Sequence, residues 1–339
     1  MDVWKLVAGM CAALQATPAS AQSPPEQTPA PPSVSARTSV RSVALTYDDL
    51  PFVSSSNEEP RVAGKKALHA SRQIQRSLLS RHAPATGFVN EIKLRDFGEH
   101  GLTILRDWNR GEFELANHSF SHADSNNLSL GEIEQEVVQG QRASKALAQA
   151  EGRSLRFFRF PYNHVGDTEE KRVAIEQLLA GHGYRMAAST IDTSDFLFNK
   201  AYERACAEKD RPMRRRIEQA YLDHTRQQIQ YYSALNERIS GYRPPDIIVL
   251  HLNSLNAAVN DRILEIFEEL EYRFVSLAEA QSDPAYQRSP AVATRFGPMW
   301  AYRWARERGI KVDGSLEKEP PDWVSAYAAL DLRASTPRQ

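Results

Sequence analysis

The chain has 339 residues, 41% of them hydrophobic and 25% charged, a composition that supports a folded domain with a sizeable core. Its 42 Lys and Arg nearly cancel its 43 Asp and Glu, for a formal net charge of −1. That argues against a general nucleic-acid binder and against steering by overall charge. The two cysteines, Cys11 and Cys206, exclude a disulfide scaffold and a four-cysteine zinc site.

Taken in chain order, the first residues have the build of a secretory signal. Lys5 supplies a positive start, residues 6–14 an apolar run too short to span a bilayer, and Ala19-Ser20-Ala21 a small-residue cleavage pattern. Residues 1–21 are therefore expected to be a signal peptide cleaved after Ala21, with a secreted or periplasmic mature protein. Residues 22–39 carry five prolines among small polar residues, which makes them a linker. No later stretch is apolar enough for a transmembrane helix, there is no internal repeat, and no protein partner is implied.

The body alternates strand and helix signals. Strands are expected at 42–47, 86–89, 112–117, 155–160, 184–189, 246–250 and 273–275. Helices are expected at 60–82, 92–109, 129–150, 168–182, 199–240 and 259–271, the one at 129 opened by Ser129 with Glu132 three residues on. This alternation predicts parallel strands with helical crossovers, closed as a distorted (β/α) barrel of seven or eight strands. In such a fold, chemistry gathers at the carboxyl ends of the strands.

The polar clusters fall there. Asp48 and Asp49 end the first strand, and His118 and His122 follow Asn117. Arg159 and Tyr162 close the strand at Phe160, Asp192 and Asp195 follow Ser189, and His251 ends the last long apolar strand. Histidines four apart can share one face of a helical turn and hold one cation, with a carboxylate from elsewhere as third ligand and a position left for water. Two histidines with a carboxylate favour zinc or a similar divalent ion. Neighbouring residues of an extended chain point oppositely, so one Asp of the pair can bind metal while the other transfers a proton.

Five segments, in order, resemble the motifs of the polysaccharide deacetylases, carbohydrate esterase family four: Thr46-Tyr47-Asp48-Asp49-Leu50-Pro51, His118-Ser119-Phe120-Ser121-His122, Arg159-Phe160-Pro161-Tyr162, Asp195-Phe196 and Val249-Leu250-His251. The resemblance implies a catalytic domain over 40–286, with a helical insertion at 199–243 and a C-terminal helical extension at 287–339. It implies that Asp49, His118 and His122 bind a divalent metal, zinc first. Asp48 would be the general base for the attacking water and His251 the acid for the leaving group. Arg159 would hold Asp48, and Asp195 would orient His251. The backbone N–H of Tyr162 would stabilise the oxyanion. Tyr162, Pro161, Phe196 and Leu250 would border the substrate, an N- or O-acetylated saccharide. Leu50, Phe196 and Val249 depart from the family's usual Gly, Trp and Leu, which bears on substrate fit.

Several readings stay open at this level. The insertion reads as a solvated helical region or as a flap over the groove, and Trp300, Trp304 and Trp323 as core or as a sugar-stacking surface. His164 could reach the groove or lie on the surface. Asn253 and Asn256 could bind sugar hydroxyls or cap a loop, and Asp192 could support Asp195 or cap the turn. The rival functions are a related metal-dependent amidase or esterase for a small non-sugar substrate and a non-catalytic carbohydrate-binding protein.

Overall fold

The computed structural model describes residues 40–53 and 59–329. The expected signal peptide, the linker and the last ten residues of the C-terminal extension lie outside the described residues. The elements run β1 (Arg41–Leu50), α1 (Pro60–Ser80), β2 (Ala85–Val89), α2 (Leu94–Asp107), β3 (Phe113–Asn117), α3 (Leu130–Gln139), α4 (Arg142–Ala150), β4 (Phe157–Phe158), α5 (Glu169–Gly181), β5 (Arg185–Met186), β6 (Ile191–Asp192), α6 (Asp195–Ala207), α7 (Arg211–Ser240), β7 (Asp246–His251), α8 (Ser254–Glu269), β8 (Tyr272–Val275), α9 (Leu277–Ala280), α10 (Trp300–Glu307) and α11 (Asp322–Ala329). No described helix is long and apolar enough to cross a membrane.

Every ladder is parallel, in the order β5-β4-β3-β2-β1-β7-β6. β8 pairs with Arg41–Ala44 at the start of β1. Because β7 already pairs with Val43–Asp48, β8 must share the opposite edge of β1 with β2, which pairs further along. No ladder joins β5 to β6 among the described residues, so this is a distorted (β/α) barrel, open at that seam. β1 is the central staff: residues 43–50 are all buried, as a parallel strand covered on both faces requires. α1 buries Ala63, Ala67, Ala70, Ile74 and Leu78 at helical spacing, in the same core cluster as Leu45 and Tyr47 of β1. Each large apolar side chain so buried is worth about 1.5–3 kcal/mol.

The structure departs from the sequence expectations in three informative places. The helix expected over 129–150 is two helices, because the chain turns at Gly140. A Cβ there would lie 2.4 Å from the Ser119 backbone, so only glycine lets the loop after β3 pack this closely. The strands expected over 155–160 and 184–189 shrink to two residues each, and β6 was not anticipated. Beyond them the Arg159 N–H still donates to Asn117 O at 3.1 Å, whereas the Ala188 N–H turns to Gln281 Oε1 at 2.8 Å. The long helix expected from 199 is α6 followed by α7, broken before Arg211, where Asp210 caps the second helix and Pro212 occupies its first turn.

α7 is no solvated excursion. It buries Ile217, Tyr221, Thr225, Ile229, Tyr232 and Ile239, and Tyr221 hydrogen-bonds Asn256 of α8 at 2.8 Å. Trp300 and Trp304 are buried against Tyr286, with ring centroids at 5.9 and 5.5 Å, which makes them core. Trp323 lies under the guanidinium of Arg216 at 4.1 Å.

Candidate active site

The carboxyl edge of the sheet carries a cavity of about 410 Å³, lined by residues from β1, β6, β7, α6, the loops after β3 and β4, and Gly297 and Met299 of the C-terminal segment. Asp48 and His251 are direct partners across β1 and β7, which sets base and acid candidates side by side. Asp49 does not point away from Asp48 as an extended pair would. Its φ is +65°, and the β1–β2 register shifts between Tyr47 and Leu50. The turn brings both carboxylates to 3.9 Å from His118 Nε2. Such a left-handed residue costs about 1–3 kcal/mol and persists only where its surroundings hold it.

The two histidines converge by a different route from the helical turn expected. The loop 118–122 is irregular, with Ser119 and His122 at φ +73° and +62°. It is pinned from outside: the Glu136 carboxylate on α3 accepts the N–H groups of Phe120 (3.0 Å) and Ser121 (2.7 Å) and the Ser121 hydroxyl (2.7 Å). Asn117 accepts the Ser119 N–H and donates to Val137 O, both at 2.9 Å. His118 Nδ1 faces the Arg159 carbonyl at 2.8 Å, so it carries the proton and leaves the Nε2 lone pair toward Asp49.

Asp49, His118 and His122 thus offer three ligand atoms within 4.8 Å of one another. Asp49 Oδ1 is buried with no hydrogen-bond partner, while Oδ2 pairs with Lys93 Nζ at 3.0 Å. An orphaned carboxylate oxygen beside two imidazole lone pairs suits a divalent cation. Burial keeps both imidazoles neutral, His118 lowered and His122 pushed down to about 4, against the pull of the nearby aspartates. Burial alone would raise the Asp49 carboxyl, but the Lys93 ammonium beside it, with the charged His251 further off, holds it below the ordinary range. Neutral histidines and an ionised carboxylate are the protonation states that ligation needs.

Around this centre, Arg159 is 1% exposed and donates to Asp48 Oδ1 (2.7 Å), Thr46 Oγ1 (2.8 Å) and Ala188 O (2.8 Å), with Phe88 beneath it at 4.2 Å. Buried pairs of this kind fix geometry, and removing one partner strands the other charge. Asp195 opens α6 and accepts His251 Nδ1 (2.7 Å) and N (2.8 Å), Asn253 Nδ2 (3.0 Å) and Asn256 Nδ2. Burial works against charging His251, but Asp195, with Asp49 and Asp48 behind it, raises its pKa to about 10. Burial would also raise the Asp195 carboxyl; the His251 charge and these donors hold it down.

Of the residues expected at the substrate, Tyr162 and Phe196 line the cavity and stay 58% and 59% exposed. Leu250 does not line it. Side chains alternate along β7, so Val249 and His251 face the cavity and Leu250 is buried in the core on the other face. Pro161 is also buried, in the turn behind the wall. Asn253 and Asn256 are fully buried, Asn253 capping α8 and both donating to Asp195. Asp192 lines the cavity while accepting the Ser194 N–H in a turn. His164 turns to Asp124 at 2.7 Å. The sequence reading missed Lys93, Glu136, Gly297 and Met299. None belongs to a motif, and only long-range packing brings them here.

Residues 35–187, through β5, match the polysaccharide deacetylase family. That match spans just under half of the chain. Among solved structures the chain is similar to a polysaccharide deacetylase from Bacillus cereus (TM-score 0.47, 18% identity, 70% of this chain and 91% of that one). It is also similar to a family 4 carbohydrate esterase from Streptomyces lividans in complex with acetate (TM-score 0.44, 16% identity, 71% and 95%). A third is a family pseudoenzyme from Bacillus anthracis (TM-score 0.46, 16% identity, 71% and 66%). No curated protein matches the chain.

Proposed function

We propose that the protein is a metal-dependent hydrolase that removes acetyl groups from an N- or O-acetylated saccharide. The observation that carries this is the juxtaposition of Asp49, His118 and His122 with a separate carboxylate, Asp48, and a charged His251 around one open cavity. A divalent ion held by Asp49, His118 and His122, zinc by the ligand set, supplies Lewis acidity and lowers the pKa of water.

The chain's own residues do the rest. Asp48, fixed by Arg159, accepts the proton of the attacking water. The Tyr162 N–H donates to the oxygen that gains charge as the acyl carbon becomes tetrahedral. His251 protonates the departing amine or alcohol, and Asp195 holds it in the orientation and charge state for that transfer. Tyr162 and Phe196, both exposed beside the cavity, offer flat faces to a sugar ring. On the strength of the leader-like first 21 residues, we place this chemistry outside the cytoplasm.

Acetate release from acetylated chitooligosaccharides, peptidoglycan, xylan and simple acetyl esters, each with added divalent metal, tests the substrate class. Release from at least one saccharide is expected. Turnover of simple esters alone would favour a small-substrate esterase instead.

His251 also fixes a pH dependence. Its raised pKa means that the acid form is present below about 10 and is lost as pH rises through that value. Asp195→Asn removes the main stabiliser of that charge. The alkaline limb of kcat should then move down by about two units or more, toward the ordinary histidine value. A limb that stays in place would show that Asp195 does not set the acid.

A further inference from the structure

The loop after β4 bends through two consecutive left-handed residues that are not glycine, Tyr162 at φ +58° and Asn163 at φ +54°. It is the C-terminal segment, well outside the family motifs, that holds them. Arg303 of α10 is 3% exposed, and its guanidinium donates to Asn163 O (2.5 Å) and Pro298 O (3.1 Å). The Trp300 N–H donates to Ser189 O at 2.9 Å, and the Ser189 hydroxyl reaches Asn163 Oδ1 at 3.0 Å. Gly297 lies directly against the Tyr162 carbonyl: a Cβ there would stand 1.6 Å from that oxygen. Further along, the Thr294 N–H donates to Gly166 O at 3.1 Å, so the segment straps the loop at both ends. Gly297 and Met299 line the same cavity as Asp48 and His251.

We propose that residues 290–303 are a built-in wall of the active site and that Arg303 is a positioning residue, locking the left-handed turn that aims the Tyr162 N–H into the cavity. The value of that N–H to the reaction rests on the deacetylase reading above; the locking does not. Loss of this turn would let the 161–162 peptide unit rotate and take its N–H away from the place where Tyr162 lines the cavity. The segment donates to the Asn163 carbonyl and packs Gly297 against the Tyr162 carbonyl.

The test uses the full chain with Arg303→Ala, Arg303→Lys and Gly297→Ala. Arg303→Ala should lower kcat on the order of 10²-fold, the scale of a misplaced oxyanion donor, with KM and bound metal per chain little changed. Arg303→Lys keeps one donor for Asn163 O and should recover part of the loss. Backbone amide exchange should quicken over residues 162–166 and stay as in the wild type over 118–122. Should Arg303→Ala fail to fold, Gly297→Ala meets the same criteria. Unchanged exchange over 162–166 would overturn the proposal, as would a kcat loss that merely tracks lost metal or lost folded protein. A wild type that releases no acetate with metal present overturns the deacetylase reading instead, and the exchange measurement still decides this one.

Discussion

Asp48→Asn should retain metal and lose nearly all turnover, on the order of 10³-fold in kcat, the contribution of a well-placed general base. The substitution is nearly isosteric. The Asn oxygen can still accept from Arg159 Nη1, so the buried guanidinium keeps a partner although it loses its counter-charge. Some stability should go with that charge, about 1–3 kcal/mol. The ligand atoms of Asp49, His118 and His122 are untouched, so metal per chain should match the wild type. Elemental analysis beside steady-state kinetics checks both halves, and near-normal turnover would sink the assignment of Asp48 as base.

His118→Ala should remove metal and activity together. Its Nε2 is one of three ligand atoms, and its Nδ1 proton ties the ring to the Arg159 carbonyl, so no neighbour can substitute for it. Metal affinity should fall by more than about 10²-fold, beyond what loss of an outer partner alone costs. The variant also leaves a small cavity beside Phe88, whose ring packs against His118 at 6.3 Å. Near-ultraviolet circular dichroism therefore accompanies the metal measurement, to separate lost ligation from lost packing. A folded variant that binds metal as the wild type does would remove His118 from the ligand set.

The residues that meet at the candidate site were legible in the sequence because metal-binding and proton-transfer chemistry restrict residue type. Asp48, Asp49, His118, His122, Arg159, Asp195 and His251 are all at one sheet edge, as strand–helix alternation implied. How they converge was not legible. A spacing of four suggested a helical turn for the histidines, yet two left-handed residues and the Glu136 carboxylate shape an irregular loop there. Alternation along β7 puts Val249 on the cavity and Leu250 in the core, a matter of strand phase that a three-residue motif does not carry. Gly140 divides a helix because of a backbone from 20 residues earlier, and Gly297 and Arg303 act on a loop about 140 residues before them. Contacts at such separation leave no periodic trace in the chain.

Metal-dependent deacetylation is tested most simply by acetate release from an acetylated saccharide substrate by chelator-stripped protein, before and after zinc is returned. None is expected from the stripped enzyme, with recovery as zinc approaches one equivalent per chain and with Asp48→Asn binding that equivalent and staying inactive. Full acetate release by protein verified to be free of metal would contradict it.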